Sequence, residues 1–307
     1  MTIQYLDQGF LSFQEYIDRQ VRGGLFDQDG TPRYAHPVDE WILRSLNAMP
    51  VKTVLDKSLD TIISVQMGQF LASGIVIDRR SFSDLFEVLT HCAETLSIPI
   101  PHAVANSSPF LFNAFTAGTD EYSFINITSG LCQYFTKDEA CFVIGHECGH
   151  IASKHMVYHT LVWVMTDTAS RYLGGLGRLI SMTAGVPLLA WSRRSEITAD
   201  RAGLLCCGDI AVAERALLRL VAGHADVDQV DIEDYLRKFK DVQEFHGVSG
   251  WQQLFITHPL IPKRIEALRL FAQSEPYHDL TGTSPPAGTQ LLTREELDRR
   301  VNQIVKP

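Results

Sequence analysis

The chain has 307 residues, 45% hydrophobic and 21% charged, which is ordinary globular composition with length enough for one large domain or two interleaved lobes. A net charge of −9, with no basic run and no aromatic–basic interleaving, argues against nucleic acid as a partner. The six cysteines show neither CxxC nor framework spacing, so buried thiols in a reducing compartment are expected rather than a disulfide scaffold.

The first stretch, MTIQYLDQGFLSFQEYIDRQ, carries Asp7, Glu15 and Asp18 and lacks the basic start and apolar middle of a signal peptide; a cytoplasmic location is expected. A short helix is predicted near residues 11–22, and Asp27 to Pro32 is turn chemistry. Helical patterns follow over 38–49, ended by Pro50, over 52–71, and over 81–96 with Ser81 as cap. None of the three carries a converging polar set, so all read as scaffold.

From His102 the pattern changes to short strands, at 102–106, 110–115 and 122–127, rich in Val, Phe, Tyr and Ile and divided by NSSP and AGTD. Such a sheet is either purely structural or offers an edge strand on which an extended peptide could pair by backbone hydrogen bonds.

Thr136 to Met156, TKDEACFVIGHECGHIASKHM, is the stretch on which a functional reading turns. Thr136 and Glu139 form the pattern of a capping box, so a helix should start there. Lys154 and His155 lie toward its C-terminus, where positive charge suits the helix dipole. Within it, His146, Glu147 and His150 make HExxH. Four residues apart, the two imidazoles share one helix face and can hold one Zn²⁺, with Glu147 beside the place of a water. Ile144, Cys148 and Ile151 fall on the other side, so Cys148 reads as core and one side of the helix is assigned to chemistry, the other to burial. HExxH alone also arises by accident, so a third ligand is needed.

Apolar helices should follow to about Trp191, but Asp167, Arg171 and Arg178 interrupt them. The longest charge-free run, 179–192, falls short of the roughly 18–20 residues that span a bilayer. Buried or interfacial helices are expected, with peripheral membrane contact left open. The segment SRRSEITADRAGLLCCGD offers a candidate third ligand: Ser195 is read as the cap of a new helix ending at Gly208, with Glu196 in its first turn and Asp200 one turn later on the same face. That is the layout for a carboxylate ligand plus a second carboxylate fixing a histidine tautomer. The alternative is that Glu196 merely favours a helix N-terminus electrostatically. Ala199, Ala202 and Gly203 are small enough for close packing on another helix.

Two more helices are predicted over 210–245, with the acidic stretch 226–234 read as solvated surface and not a calcium loop. His258-Pro259 precedes a helix over 263–273, residues 274–290 read as a linker, and 293–305 as a last helix with a capping box at Thr293 and Glu296. The expected organisation is an N-terminal helical region (1–97), a core (98–273), then the linker and last helix (274–307); the fold class is α+β, mostly helical.

Four blocks, NAFTAG at Asn113–Gly118, HECGH, SEITAD, and THP with Arg264 shortly after, resemble in order and spacing the zinc metalloendopeptidases of the HtpX and CAAX-prenyl-protease type. The resemblance implies a gluzincin fold and one zinc ion held by His146, His150 and Glu196. It implies Glu147 as general base, Asp200 orienting a ligand histidine, His258 helping at the oxyanion, and Asn113 and Ala114 binding substrate backbone. The substrate class would be protein or peptide. Membrane-spanning helices of that type are missing from the pattern here, which leaves prenylated substrates in doubt. A non-proteolytic zinc-binding chaperone-like or interaction protein on the same fold is the rival reading.

Overall fold

The computed structural model describes residues 25–27, 30–39, 68, 72–107, 113–118, 123–156, 159, 174–223, 225–246, 260–285 and 287–305. The helices expected at 11–22 and 52–71 fall almost wholly outside these residues, as do most of the helix at 38–49 and all of the His258 block; of 38–49, the start is helical, at 37–39.

The first described elements are strand β1 (Gly74–Val76), helix α1 (Ser83–Thr95), and strands β2 (His102–Asn106), β3 (Ala114–Gly118) and β4 (Ser123–Thr128). They form a mixed four-stranded sheet of order β1-β2-β4-β3. β1 and β3 run antiparallel to their neighbours, and β2 and β4 run parallel. β4 lies inside the sheet and buries Phe124 through Thr128; β3 is an edge. Of the strand expected at 110–115, residues 113–115 are described; the ladder with β4 takes in Ala114 and Phe115 and continues through Thr116 into Ala117 and Gly118, where a turn was read. α1 is not capped by Ser81. Phe82 occupies the cap position in a left-handed conformation, φ 60°, with no side-chain cap. Asp78 instead accepts from the Arg80 and Ser81 amides and turns the chain into the helix.

A short helix α2 (Ser129–Tyr134) leads into α3 (Lys137–Ala152). The capping box is present: Thr136 Oγ1 accepts from the Glu139 amide at 3.2 Å, and Glu139 Oε2 from the Thr136 amide at 2.9 Å. The same Glu139 is buried against Arg219 of a later helix. α3 is not half solvated. It is buried nearly all round, its histidine side included. Its ending also departs from expectation. Lys154 takes φ 56°, the chain reverses, and the His155 amide donates back to the His150 carbonyl at 3.0 Å. His155 is therefore buried beside His150, not a surface charge on the helix dipole.

The next helix, α4 (Gly174–Cys207), runs 34 residues without a break and carries Pro187 inside it. Ser195 caps nothing; its hydroxyl donates to the Ser192 carbonyl within the helix. α3 and α4 cross in backbone contact. A Cβ at Gly149 would lie 2.5 Å from Ala202 Cβ, one at Gly145 2.7 Å from Cys206 Cβ, and one at Gly203 2.7 Å from the Phe142 carbonyl oxygen. The small residues noted in the sequence do serve close helix packing, and α3 is the partner.

Helices α5 (Ile210–Ala222), α6 (Ile232–His246), α7 (Ile261–Ala272), α8 (Glu275–Thr281) and α9 (Arg294–Ile304) complete the described chain. α8 lies inside the stretch read as linker. At α9 the Thr293 half of the capping box forms, whereas Glu296 turns to Arg299 and Arg300. The core runs from α1 (Leu89, Cys92) through the sheet (Ile125, Ile127) to α3 and α7 (Ile144, Phe271). All six cysteines are free.

Candidate metal centre

His146 and His150 project from one face of α3, and Glu196 faces them from α4. His146 Nε2 and His150 Nε2 are 3.2 Å apart. Glu196 Oε2 is 3.5 Å from the first and its Oε1 3.5 Å from the second. Four ligands on a tetrahedral zinc ion, bonded at about 2.0–2.1 Å, sit about 3.3 Å from one another. The two imidazole nitrogens thus stand near the edge length of such a site from each other, each has one Glu196 oxygen at a similar distance, and the three residues fit the ion. Glu196 sits more than twenty residues into α4, so a helix N-terminus does not account for its position.

The tautomers point the same way. Asp200 Oδ1 lies 2.9 Å from His146 Nδ1 and, as a carboxylate, can only accept, so Nδ1 carries a proton and Nε2 is the nitrogen left facing His150 and Glu196. Arg264, reaching in from α7, grips Asp200 with Nε at 2.8 Å and with a second nitrogen on Oδ1. Burial opposes charge on Asp200, but Arg264 and His146 outweigh it and hold the carboxyl below its usual range. For His146, burial again opposes the charge, yet the Asp200 hydrogen bond and the Glu196 and Asp200 charges prevail, raising its pKa. Burial, helped by the neighbouring His146, lowers His150 to about 4 and keeps it neutral, the form a metal requires.

Glu147 lies on the same turn and receives a hydrogen bond from the Thr116 hydroxyl of β3. Asn113, Ala114 and Thr116 line one wall of a cleft of about 710 Å³, Leu220 to Gly223 lie on another side, and the two histidines, Glu147, Glu196 and Arg264 also line it. The sheet edge and the acidic and basic groups therefore open on one space. Cys148 is fully buried away from it, and burial raises its thiol pKa further. A second cavity of about 730 Å³, beside Glu233, Lys240 and Arg300, gathers exposed ion pairs and none of these groups.

Sequence reasoning missed Thr116 and Arg264, and also His155, which packs on His150 with Asp39 3.0 Å behind it. Thr116 and Arg264 lay inside quoted blocks without an assigned task. His155 was in plain view five residues after His150, but only the reversal after α3 turns it inward. Nothing marks Asp39 in the sequence.

The sequence profile of peptidase family M48 matches residues 79–272. The chain belongs to this family. It is 27% identical over 274 residues to the plastoglobule-localized metallopeptidase 48 of Arabidopsis thaliana, covering 86% of this chain and 79% of that one. It is 27% identical to protease HtpX of Nitrosococcus oceani (73% and 86% covered). Against protease HtpX of Alkalilimnicola ehrlichii the identity is 30% (67% and 78% covered). No solved structure matches it. This M48 chain is thus a metal-dependent peptidase acting on protein or peptide, and of the two readings the sequence left open the peptidase stands. Among the described residues no helix is long and apolar enough to cross a membrane.

Proposed function

We propose that this chain is a zinc-dependent endopeptidase with one zinc ion on His146, His150 and Glu196. The observation that carries the reading is the convergence of three ligating side chains: the two imidazole Nε2 atoms stand 3.2 Å apart, each is 3.5 Å from a carboxylate oxygen of Glu196, and one donor atom from each residue lies within 4.8 Å of the others. A zinc ion held there would supply Lewis acidity, lowering the pKa of a water toward about 7 and polarising the scissile carbonyl.

The chain's own groups do the rest. Glu147 takes the proton of the attacking water and delivers it to the leaving amine. Thr116 holds one Glu147 oxygen, which leaves the other to face the cleft. Asp200, braced by Arg264, keeps the His146 proton on Nδ1 and its ring in place. Substrate backbone lies along the β3 edge at Asn113 and Ala114, which line the cleft beside Glu147. His258 is assigned to the oxyanion from the sequence resemblance, and its block lies outside the described residues. We retain residues 98–273 as the catalytic core, and a cytoplasmic setting with peripheral membrane contact, as parts of the same proposal.

The test uses the purified chain, a zinc assay and an unfolded protein substrate with and without chelator. One zinc per chain and chelator-sensitive cleavage within the substrate sequence are expected. Glu147→Gln should keep zinc and lose about 10²–10⁴-fold in kcat. Cleavage by that variant at the wild-type rate would remove Glu147 from the mechanism, and zinc binding without cleavage of any unfolded protein would overturn the endopeptidase.

A further inference from the structure

His155 and Asp39 are buried and take no part in the mechanism so far. His150 Nδ1 lies 3.0 Å from His155 Nδ1, and His155 Nε2 lies 3.0 Å from Asp39 Oδ2. Asp39 Oδ2 also accepts from the Thr198 hydroxyl at 2.7 Å, and the His36 amide donates to that hydroxyl at 3.1 Å. The segment before residue 40 is thereby tied to α4 two residues beyond Glu196.

The order of protons along this chain follows from the end group. Asp39 Oδ2 accepts from the Thr198 hydroxyl and faces His155 Nε2, two donors that suit an ionised carboxylate. A carboxylate only accepts, so His155 must present its proton from Nε2. In the neutral ring Nδ1 is then an acceptor, and the proton of the 3.0 Å contact sits on His150 Nδ1. That leaves His150 Nε2 with its lone pair toward His146 and Glu196.

We infer that Asp39 and His155 are positioning residues for the metal centre: they fix His150 as its Nδ1–H tautomer, as Asp200 and Arg264 fix His146. The inference rests on the zinc reading above. It assigns an essential part of the centre to Asp39, which precedes the segment matched by the family, residues 79–272. The competing use of this cluster is a second metal on His150, His155 and His159, whose donor atoms lie within 4.8 Å of one another. His155 Nδ1 already faces His150 Nδ1, its Nε2 stands at ion-pair distance from Asp39, and His150 would have to bridge two ions, so the relay is favoured.

Zinc affinity decides it, measured by competition with a chromogenic chelator on the full chain. His155→Leu removes the acceptor and should weaken zinc binding about 10–100-fold. His155→Asn returns an acceptor near the position of Nδ1 and should recover most of that loss. Equal affinity for His155→Leu and wild type, or equal loss in both variants, overturns the inference. Should His155→Leu fail to fold, ¹⁵N-histidine long-range spectra of the wild-type protein answer directly. His155 protonated on Nε2 alone supports the relay, and protonation on Nδ1 overturns it. Two zinc ions per wild-type chain overturn it in favour of the triad. No zinc on wild type would instead sink the metal reading itself.

Discussion

At the scale of single residues, two groups of the candidate site each touch a neighbour that can set its state. Asp200 does so for His146, and Thr116 does so for Glu147. Thr116→Val keeps the β-branched shape the strand wants and removes only the donor. We expect about a tenfold loss of kcat on an unfolded protein, with KM and zinc content unchanged, and recovery in Thr116→Ser. Steady-state kinetics on the three proteins checks this; a KM effect alone would make Thr116 a substrate contact. His146, Glu147, His150, Glu196 and Asp200 were legible because each sits at a fixed helical offset from another, and helix geometry is local. Their neighbours come from elsewhere in the chain. Arg264 is 64 residues from Asp200, and Asp39 is 159 from Thr198. No periodicity links such positions, so a single sequence does not disclose them.

At the scale of elements the decisive contact is α3 on α4. Glu196 reaches both histidines because glycines let the two backbones touch. Gly149→Ala places a Cβ 2.5 Å from Ala202 Cβ and 3.1 Å from the Ala199 backbone. It should cost about 2–3 kcal/mol and separate the ligands, so zinc is lost along with several degrees of thermal midpoint. Ala202→Gly in the same chain removes the nearer clash and should restore part of both. Differential scanning calorimetry with zinc analysis tests the pair; a Gly149→Ala protein with full zinc would mean that the helices have room to give. The capping box of α3 was readable because Thr136 and Glu139 specify it within one turn. The start of α4 was not: Ser195 has the chemistry of a cap, but the helix already runs through it, and its hydroxyl turns back to Ser192.

At the scale of the whole molecule, stability in acid depends on histidines folded in neutral form. His36 is pressed down to about 3, first by burial and then by the nearby positive charge of Arg201. The unfolded chain takes that proton near pH 6.5, the folded chain only near 3, so between them the unfolded state binds more protons. The group's contribution is complete above 6.5, is lost as pH falls below it, and the loss saturates near pH 3. At pH 4.5 the penalty is about 2–3 kcal/mol. Urea unfolding of the metal-free protein at pH 7.5 and 4.5 should show His36→Gln losing less on acidification than wild type by that amount. An equal loss would show His36 charging freely in the fold. The general architecture, a small sheet followed by helices, was visible in the change of pattern at His102. β1 was missed because three residues, Gly74–Val76, carry too little alternation to register.

α4 has one further consequence. From Gly174 to Glu196 it runs about 33 Å at 1.5 Å per residue, with Pro187 the weak link along the way. A proline there leaves one rung of the ladder unmade, and a rod so weakened bends at that rung first. Glu196 lies a little over two turns beyond it, on the half that is clamped against the glycines of α3. Bending of the helix is therefore expected at the proline before the turn that carries Glu196. The turn that carries Glu196 is thereby separated from the N-terminal half of the helix by its weakest rung.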